Sequence, residues 1–474
     1  MEKRKIYRRS LVVFSILLAI GIVSYTIFNY INFLTSSSVK REVAKEIQKI
    51  KDKREPTTIE ELIPEEIADE ENGALIYREA FKVRKDLAKK YKEIEKYIPC
   101  EGTVTWDKVP ETEKKKVKNL ILHNFGYIKF YRLFEKASRM RCQFLKRKDY
   151  EKGAAMLLSH LAQMRSCARM LAAKAKLQAE NKEIEESLNT CLIGLRVSRS
   201  LSDEPIIISQ LVRIAMDAII LKQVEEILKK GEGSIKIYQA LVKEIRNERK
   251  NKLIYPGLMS ERVVFGMIEI PRLKKRATEK WEEMTDEEKK KIFKPLIELT
   301  GKEGISVLEK AFSENPEIFF DENELTYLRT MAKMISLVKK PYWEVREELK
   351  KFEKQILKKL PKQKAFLTLI FVPALFRCYN QEARIDAQLG NAEIALACYI
   401  YKAKCGKYPE SLNELVPGVL PSLPLDPFTG RNYIYRKRDK GFIVYSLGDN
   451  LKDDSGKRGK GKNKWEGGDI VWEE

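Results

Sequence analysis

Residues 395–412 read ALACYIYKAKCGKYPESL, and residues 441–450 read GFIVYSLGDN. The chain passes here from helical to extended patterning, so this region decides the fold. Ile385, Leu389, Ala392, Leu396, Tyr399, Ile400 and Ala403 recur at three- and four-residue steps, the spacing of one apolar helical stripe. Gly406 suits the end of that helix, where left-handed backbone is common. Tyr408-Pro409-Glu410-Ser411-Leu412 opens a short turn through Leu415. Pro417, Pro421, Pro424 and Pro427 then fix φ and remove backbone donors, which predicts an extended loop. Asn432–Arg436 and Phe442–Tyr445 read as a hairpin around Lys437–Gly441. Ser446–Gly468 reads as a long Gly- and charge-rich loop, and Asp469–Trp472 as a last short strand. The module so defined spans residues 384–474.

Upstream, residues 72–383 read as a helical domain. Leu75, Tyr77, Ala80, Phe81, Val83 and Leu87 mark an amphipathic helix over 72–97. Helical patterning resumes over 111–140. The densest part, 149–230, breaks at Glu180-Asn181 and at Ser202-Asp203-Glu204-Pro205, which predicts three long helices joined by short turns and packed antiparallel. Pro205 suits a first helical turn, with Ser202 or Asp203 as its cap. The helix from Pro205 to Lys229 is apolar almost all round, as a central helix would be. Ser209, Arg213 and Asp217 interrupt it at four-residue spacing and share one face. An unpaired buried charge is costly, so Arg213 and Asp217 are expected to pair or to reach other polar groups. Further helices are expected at 235–250, 285–299, 304–313, 321–339 and 342–360. The apolar run 365–376, with Pro373 inside it, is too short to span a bilayer and fits a buried helix.

At the other end, residues 1–10 are basic. Leu11–Leu34 (LVVFSILLAIGIVSYTIFNYINFL) is long and apolar enough to be expected to cross a bilayer as a signal anchor. With the basic flank held inside, the bulk of the chain is expected outside the cytoplasm as a single-pass inner-membrane protein. Residues 35–71 then form a stalk and linker, with Thr58 and Glu61 spaced as a capping box.

The net charge of +22, from 91 basic and 69 acidic residues, points to an anionic partner or to a solvated Lys/Glu surface. The expected address favours lipid or anionic envelope polymers over nucleic acid. Seven cysteines (Cys100, Cys142, Cys167, Cys191, Cys378, Cys398 and Cys405) form neither a Cys-x-x-Cys pair nor a metal-ligand rhythm. Only His123 and His160 could serve a His-based metal site or a Ser-His-Asp triad. Gly456, Gly461 and Lys462 imitate a phosphate loop, but Asn463 replaces the required Ser or Thr and the strand and helix contexts are missing.

The run Ala395–Trp472 resembles the C-terminal half of the type II secretion major pseudopilin. The pieces that carry the likeness are ALACYIYKAKCGKYPESL, LVPGVLPSLPLDPFTGRNYIYR, GFIVYSLGDN and GGDIVW, in order. The whole chain is also similar to a group of uncharacterised bacterial membrane proteins that place such a module after a helical domain. The pseudopilin resemblance implies a calcium site at Leu447, Asp449, Asp453 or Asp454, and Asp469. Oxygen ligands on a turning loop are what a hard cation needs, although Lys452, Lys457, Arg458, Lys460, Lys462 and Lys464 oppose one. Pseudopilins also carry a Gly-Phe processing site and a Glu in the first apolar helix. Leu11–Leu34 has neither, which argues against polymerisation into a pilus.

The expected fold class is therefore mainly α: an N-terminal transmembrane helix, an extracytoplasmic helical array and a small C-terminal α+β pseudopilin-like module. The expected role is interaction or scaffolding at the cell envelope with protein partners, linked to secretion or pilus-like machinery. It requires no cofactor other than the calcium just named. The alternatives are a hydrolase acting through paired carboxylates and a glycan- or solute-binding module.

Overall fold

The computed structural model describes residues 35–98, 106–153, 156–251, 253–279, 285, 287, 315–459 and 467–474. The fold is mainly helical with one small sheet, as the periodicity predicts. The membrane expectation is corrected. Among the described residues no helix is long and apolar enough to cross a membrane, against the expected transmembrane helix, signal anchor and single-pass inner-membrane address. The longest helix, Phe366–Cys405, shows why: Arg377, Glu382, Arg384, Asp386 and Glu393 interrupt its apolar faces. The run Leu11–Leu34, which carried the expectation, lies outside the described residues.

Residues 35–52 form α1. In chain order there follow α2 (Gly73–Lys90), α3 (Lys92–Glu95), α4 (Glu111–His123), α5 (Phe125–Ala137), α6 (Arg147–Tyr150), α7 (Ser159–Glu180), α8 (Ile184–Arg199) and α9 (Ile207–Leu228). Next come α10 (Ile235–Arg249), α11 (Ile254–Glu261), α12 (Ile270–Glu279), α13 (Pro316–Val338), α14 (Tyr342–Lys359) and α15 (Phe366–Cys405). The chain divides into two compact units. One comprises Met1–Thr58, Arg262–Lys333 and Glu353–Pro373; the other comprises Ile59–Glu261, Met334–Phe352 and Ala374–Glu474.

In the larger unit α7, α8 and α9 pack on one another, and α2 packs on α5. Helix α9 is buried on several faces, as expected of a central helix, with Ile214, Met216, Ile220, Val224 and Ile227 inside. Its approach to α8 needs Gly194, where an added Cβ would lie 2.5 Å from Ile220 Cδ1. Truncating one of these fully buried aliphatic chains to Ala would cost about 2–5 kcal/mol, because the cavity left behind only partly closes.

Several helix boundaries differ from the periodicity for local reasons. The patterning over 111–140 is cut at Asn124, whose side chain accepts from the N–H groups of Gly126 (3.0 Å) and Tyr127 (3.4 Å) and so starts α5. Asn72 caps α2 in the same way, through Ala74 N–H at 3.0 Å. The expected capping box at Thr58 starts no helix; residues 57–71 are turns and irregular chain. Helix α9 begins at Ile207 with Ile206 at the cap position, and neither Ser202 nor Asp203 takes that role. The expected helix at 304–313 lies outside the described residues, as does nearly all of the one at 285–299.

In the smaller unit Arg262 opens a π-helical segment, Arg262–Glu269, that joins α11 to α12. Arg262 is fully buried. It donates to the Glu55 carboxylate at 2.6 Å and to the Pro56 carbonyl at 3.2 Å, tying the end of α1 to this segment. Asn323 on α13 plays a similar part, donating to the Gln363 carbonyl at 2.7 Å and accepting from Leu367 N–H at 3.0 Å.

The sheet is antiparallel in the order β1-β2-β3, with β1 (Ile434–Arg438), β2 (Gly441–Ser446) and β3 (Ile470–Glu473). Arg438 pairs with Gly441, so the expected loop tightens to a two-residue turn. All of β2 is buried, whereas β1 runs outward at Arg436–Arg438. Asn391 Nδ2 donates to the Ile470 carbonyl at 2.7 Å and fastens the sheet to α15. Gly390 makes room for Tyr433, whose hydroxyl would lie 2.0 Å from a Cβ there.

Candidate functional site

The concave surface nearest the C-terminal module is a cleft of about 250 Å³ in the larger unit. One wall is a face of α15, where Tyr379, Glu382, Ala383, Asp386 and Leu389 follow one another at helical spacing. The end of α10 contributes Glu248 and Arg249, and the connection to α11 adds Asn251 and Leu253. Lys340, Pro341, Tyr342 and Trp343 close the far side, with Pro427 at the rim.

The aromatic wall is held by hydrogen bonds and ring contacts. Tyr379 donates to the Lys340 carbonyl at 2.8 Å, and Asn380 Nδ2 donates to the Tyr342 hydroxyl at 2.8 Å. The Tyr342 and Tyr379 rings meet edge to face, and Tyr342 meets Phe428 in the same way. Trp343 lies against Gly430, whose φ of +68° no L side chain adopts comfortably.

The acids of the cleft are each engaged. Glu382 accepts from the N–H groups of Leu253 (2.5 Å) and Ile254 (3.4 Å), satisfying donors at the start of α11. Asp386 Oδ1 lies 2.6 Å from Arg249 Nε, and Arg249 also meets Glu393 at 3.1 Å. Burial pushes the carboxyls of Asp386 and Glu393 above their ordinary values, against the pull of Arg249. Glu248 pairs with the buried Arg213.

That last pair differs from the expectation for α9. Arg213 meets Glu248 and Gln210, not Asp217. Asp217 is fully buried and makes no ion pair among the described residues; burial first, then Glu248, holds its carboxyl well above the usual range. Ser209 donates to Glu204 at 2.6 Å, and His160 Nε2 lies 2.9 Å from the same carboxylate. Serine and histidine therefore address one acid. They do not form the nucleophile–base pair that acyl transfer needs.

In the loop expected to hold calcium, the carboxylates are drawn to separate partners. Asp449 pairs with Arg384 at 2.7 Å. Asp453 accepts from the Tyr445 hydroxyl (2.9 Å) and Ser455 N–H (2.8 Å) and pairs with Arg436 at 3.0 Å. Asp454 accepts from Asn450 Nδ2 at 2.9 Å, and Asp469 from Gly456 N–H at 2.8 Å. Leu447 follows β2 directly and leads into the turn at Gly448–Asn450. Among the described residues no three His, Cys, Asp or Glu side chains come together as a metal would require. Among the described residues these side chains do not present the six to eight converging oxygens that a calcium site needs.

The organising acid of the module is one the sequence reading passed over. Asp426 is buried and accepts from Phe428 N–H (3.0 Å), Thr429 Oγ1 (3.2 Å) and Ser446 Oγ (2.8 Å). It joins the 426–430 turn to the end of β2. An Asp before Pro in a turn was the available signal. Of the six described cysteines five are buried and Cys405 is exposed.

Comparison with family models, with curated proteins and with solved structures finds no match to this chain.

Proposed function

We propose that this chain is an interaction protein, binding partners on a helical framework, and not a hydrolase working through paired carboxylates. One observation carries the reading: Glu248, Glu382 and Asp386, the acids that face the cleft, each hold an arginine or a helix start in place. A general acid or base needs a carboxyl group at liberty to exchange its proton with substrate. Helical arrays of this kind characteristically offer extended surfaces to other proteins. The pseudopilin resemblance of Ala395–Trp472 agrees with a module that contacts other proteins.

The test is turnover of chromogenic glycoside, ester and peptide substrates by the wild-type chain and by Glu382→Gln and Asp386→Asn. The expected result is no carboxylate-dependent turnover and a lowered melting temperature for Asp386→Asn, because Arg249 loses one of its partners. A rate abolished by either substitution at unchanged melting temperature would establish the hydrolase.

A further inference from the structure

A second concavity, of about 880 Å³, lies between α2, α3 and α7. On α2 the residues Phe81, Arg84, Lys85 and Ala88 fall at i, i+3, i+4 and i+7, a single helical stripe. Helix α7 answers with Ala162, Arg165, Ser166 and Arg169. Lys92 and Lys96 rim one end. Arg84, Lys85, Lys92, Lys96, Arg165 and Arg169 thus line the groove, with Glu95 as the only acid among the described residues. Among the described residues Lys85, Lys92, Lys96 and Arg165 make no ion pair, and all four are exposed. The floor is apolar: Phe81, Ile98 and Cys167 are buried there.

We infer that this groove docks an acidic peptide segment of a protein partner. The inference deepens the interaction reading above and depends on it. Charge complementarity is its first support, since unpaired cations around a concave, partly desolvated surface attract anions strongly. Glu95 is the second. Its carboxylate is seated on Arg84 inside the groove, so the chain itself shows the chemistry that these cations accept. The apolar floor is the third, because it offers contact to the aliphatic parts of a peptide.

Nucleic acid fits less well on the same observations. Among the described residues the groove exposes no aromatic ring on which bases could stack, and single-strand binding depends on such platforms. A duplex is read by elements that project into it, whereas this surface is concave.

The experiment is fluorescence anisotropy with the full chain and a fluorescein-labelled peptide of alternating Glu and Ala. A Ser-Gly peptide and an oligothymidylate of matched charge serve as comparators. Charge reversal at the exposed Lys85→Glu and Arg165→Glu together should weaken Glu-Ala binding by about tenfold or more, because it juxtaposes like charges. Raising salt from about 50 mM to about 500 mM should weaken wild-type binding similarly, since exposed charges are screened. Lys148→Glu, exposed and outside the groove lining, should leave affinity unchanged, and all variants should melt as wild type.

Equal binding of the Glu-Ala and Ser-Gly peptides, or indifference to the double reversal, would overturn the inference. Tighter binding of the oligothymidylate would assign the groove to nucleic acid instead. Neither Lys85 nor Arg165 lines the cleft of Glu382 and Asp386. Carboxylate-dependent turnover there would therefore refute the interaction reading without changing the anisotropy, and a failed titration would refute the groove alone.

Discussion

At the cleft, Glu248, Glu382 and Asp386 each meet a partner within the fold, whereas along the groove Lys85, Lys92, Lys96 and Arg165 meet no acid among the described residues. Both surfaces are concave and both carry ionised groups. They differ in what those groups already do. A buried charge must be paired, since breaking the pair strands its partner in a low-dielectric interior. An exposed cation on a groove rim carries no such obligation and is free to recognise a partner. Concavity and charge are therefore poor guides to function until the internal partners are counted.

Substitutions at the two kinds of charge should separate sharply. The largest effect is expected where the arginine is most enclosed. Arg262→Met removes the partner of Glu55 in the smaller unit and should destabilise by about 3–5 kcal/mol. The denaturant midpoint of the variant measures this, and a loss under about 1 kcal/mol would show that buried pairs here are not structural.

Asp426→Ala comes next. It leaves Ser446, Thr429 and the Phe428 N–H without their acceptor and should cost about 1–3 kcal/mol in the same assay.

Glu324 adds a pH dependence. It is buried on α13, and burial, then Asp321, push its carboxyl up from 4.5 to about 7. The folded state thus holds a proton that the unfolded state has released. Stability from this group is complete below pH 4.5, falls as pH rises, and levels off above about pH 7. Glu324→Gln keeps the neutral shape and should flatten that fall, which is at most about 1.4 kcal/mol per pH unit. Parallel stability–pH curves for wild type and variant would contradict the assignment.

The smallest effect is expected at the groove. Lys85→Glu with Arg165→Glu should change stability by no more than about 0.5 kcal/mol, as exposed positions generally do. A larger loss would mean that these cations are structural and would erase the contrast with the cleft.

The sequence makes part of this legible. The three helices α7–α9 follow from apolar periodicity and from the breaks at Glu180-Asn181 and Ser202–Pro205, because local pattern and tertiary burial agree there. The hairpin is legible for the same reason. The break at Asn124 was signalled by a capping residue but hidden by continuous helical spacing on either side. A short buried helix over 365–376 and a separate long one from Arg384 were expected, yet α15 runs unbroken from Phe366 to Cys405, through Pro373, with Val372 and Leu375 buried beside it. The run Leu11–Leu34 suggested a membrane span, and no described helix supplies one.

The sites were less legible because they join distant residues. Arg213 stands four positions from Asp217, but its partner is Glu248, 35 positions on, brought in by α10. The groove sets α2 against α7, so neither segment alone announces it.

The most direct test of the contrast is a double-mutant cycle on Arg249 and Asp386, using Arg249→Met, Asp386→Asn and the double variant in equilibrium denaturation. If the cleft acids hold the fold together, the coupling energy should be about 1–3 kcal/mol, as for contacting charges in one network. A coupling near zero would contradict the account, because it would leave Asp386 without the structural duty assigned to it.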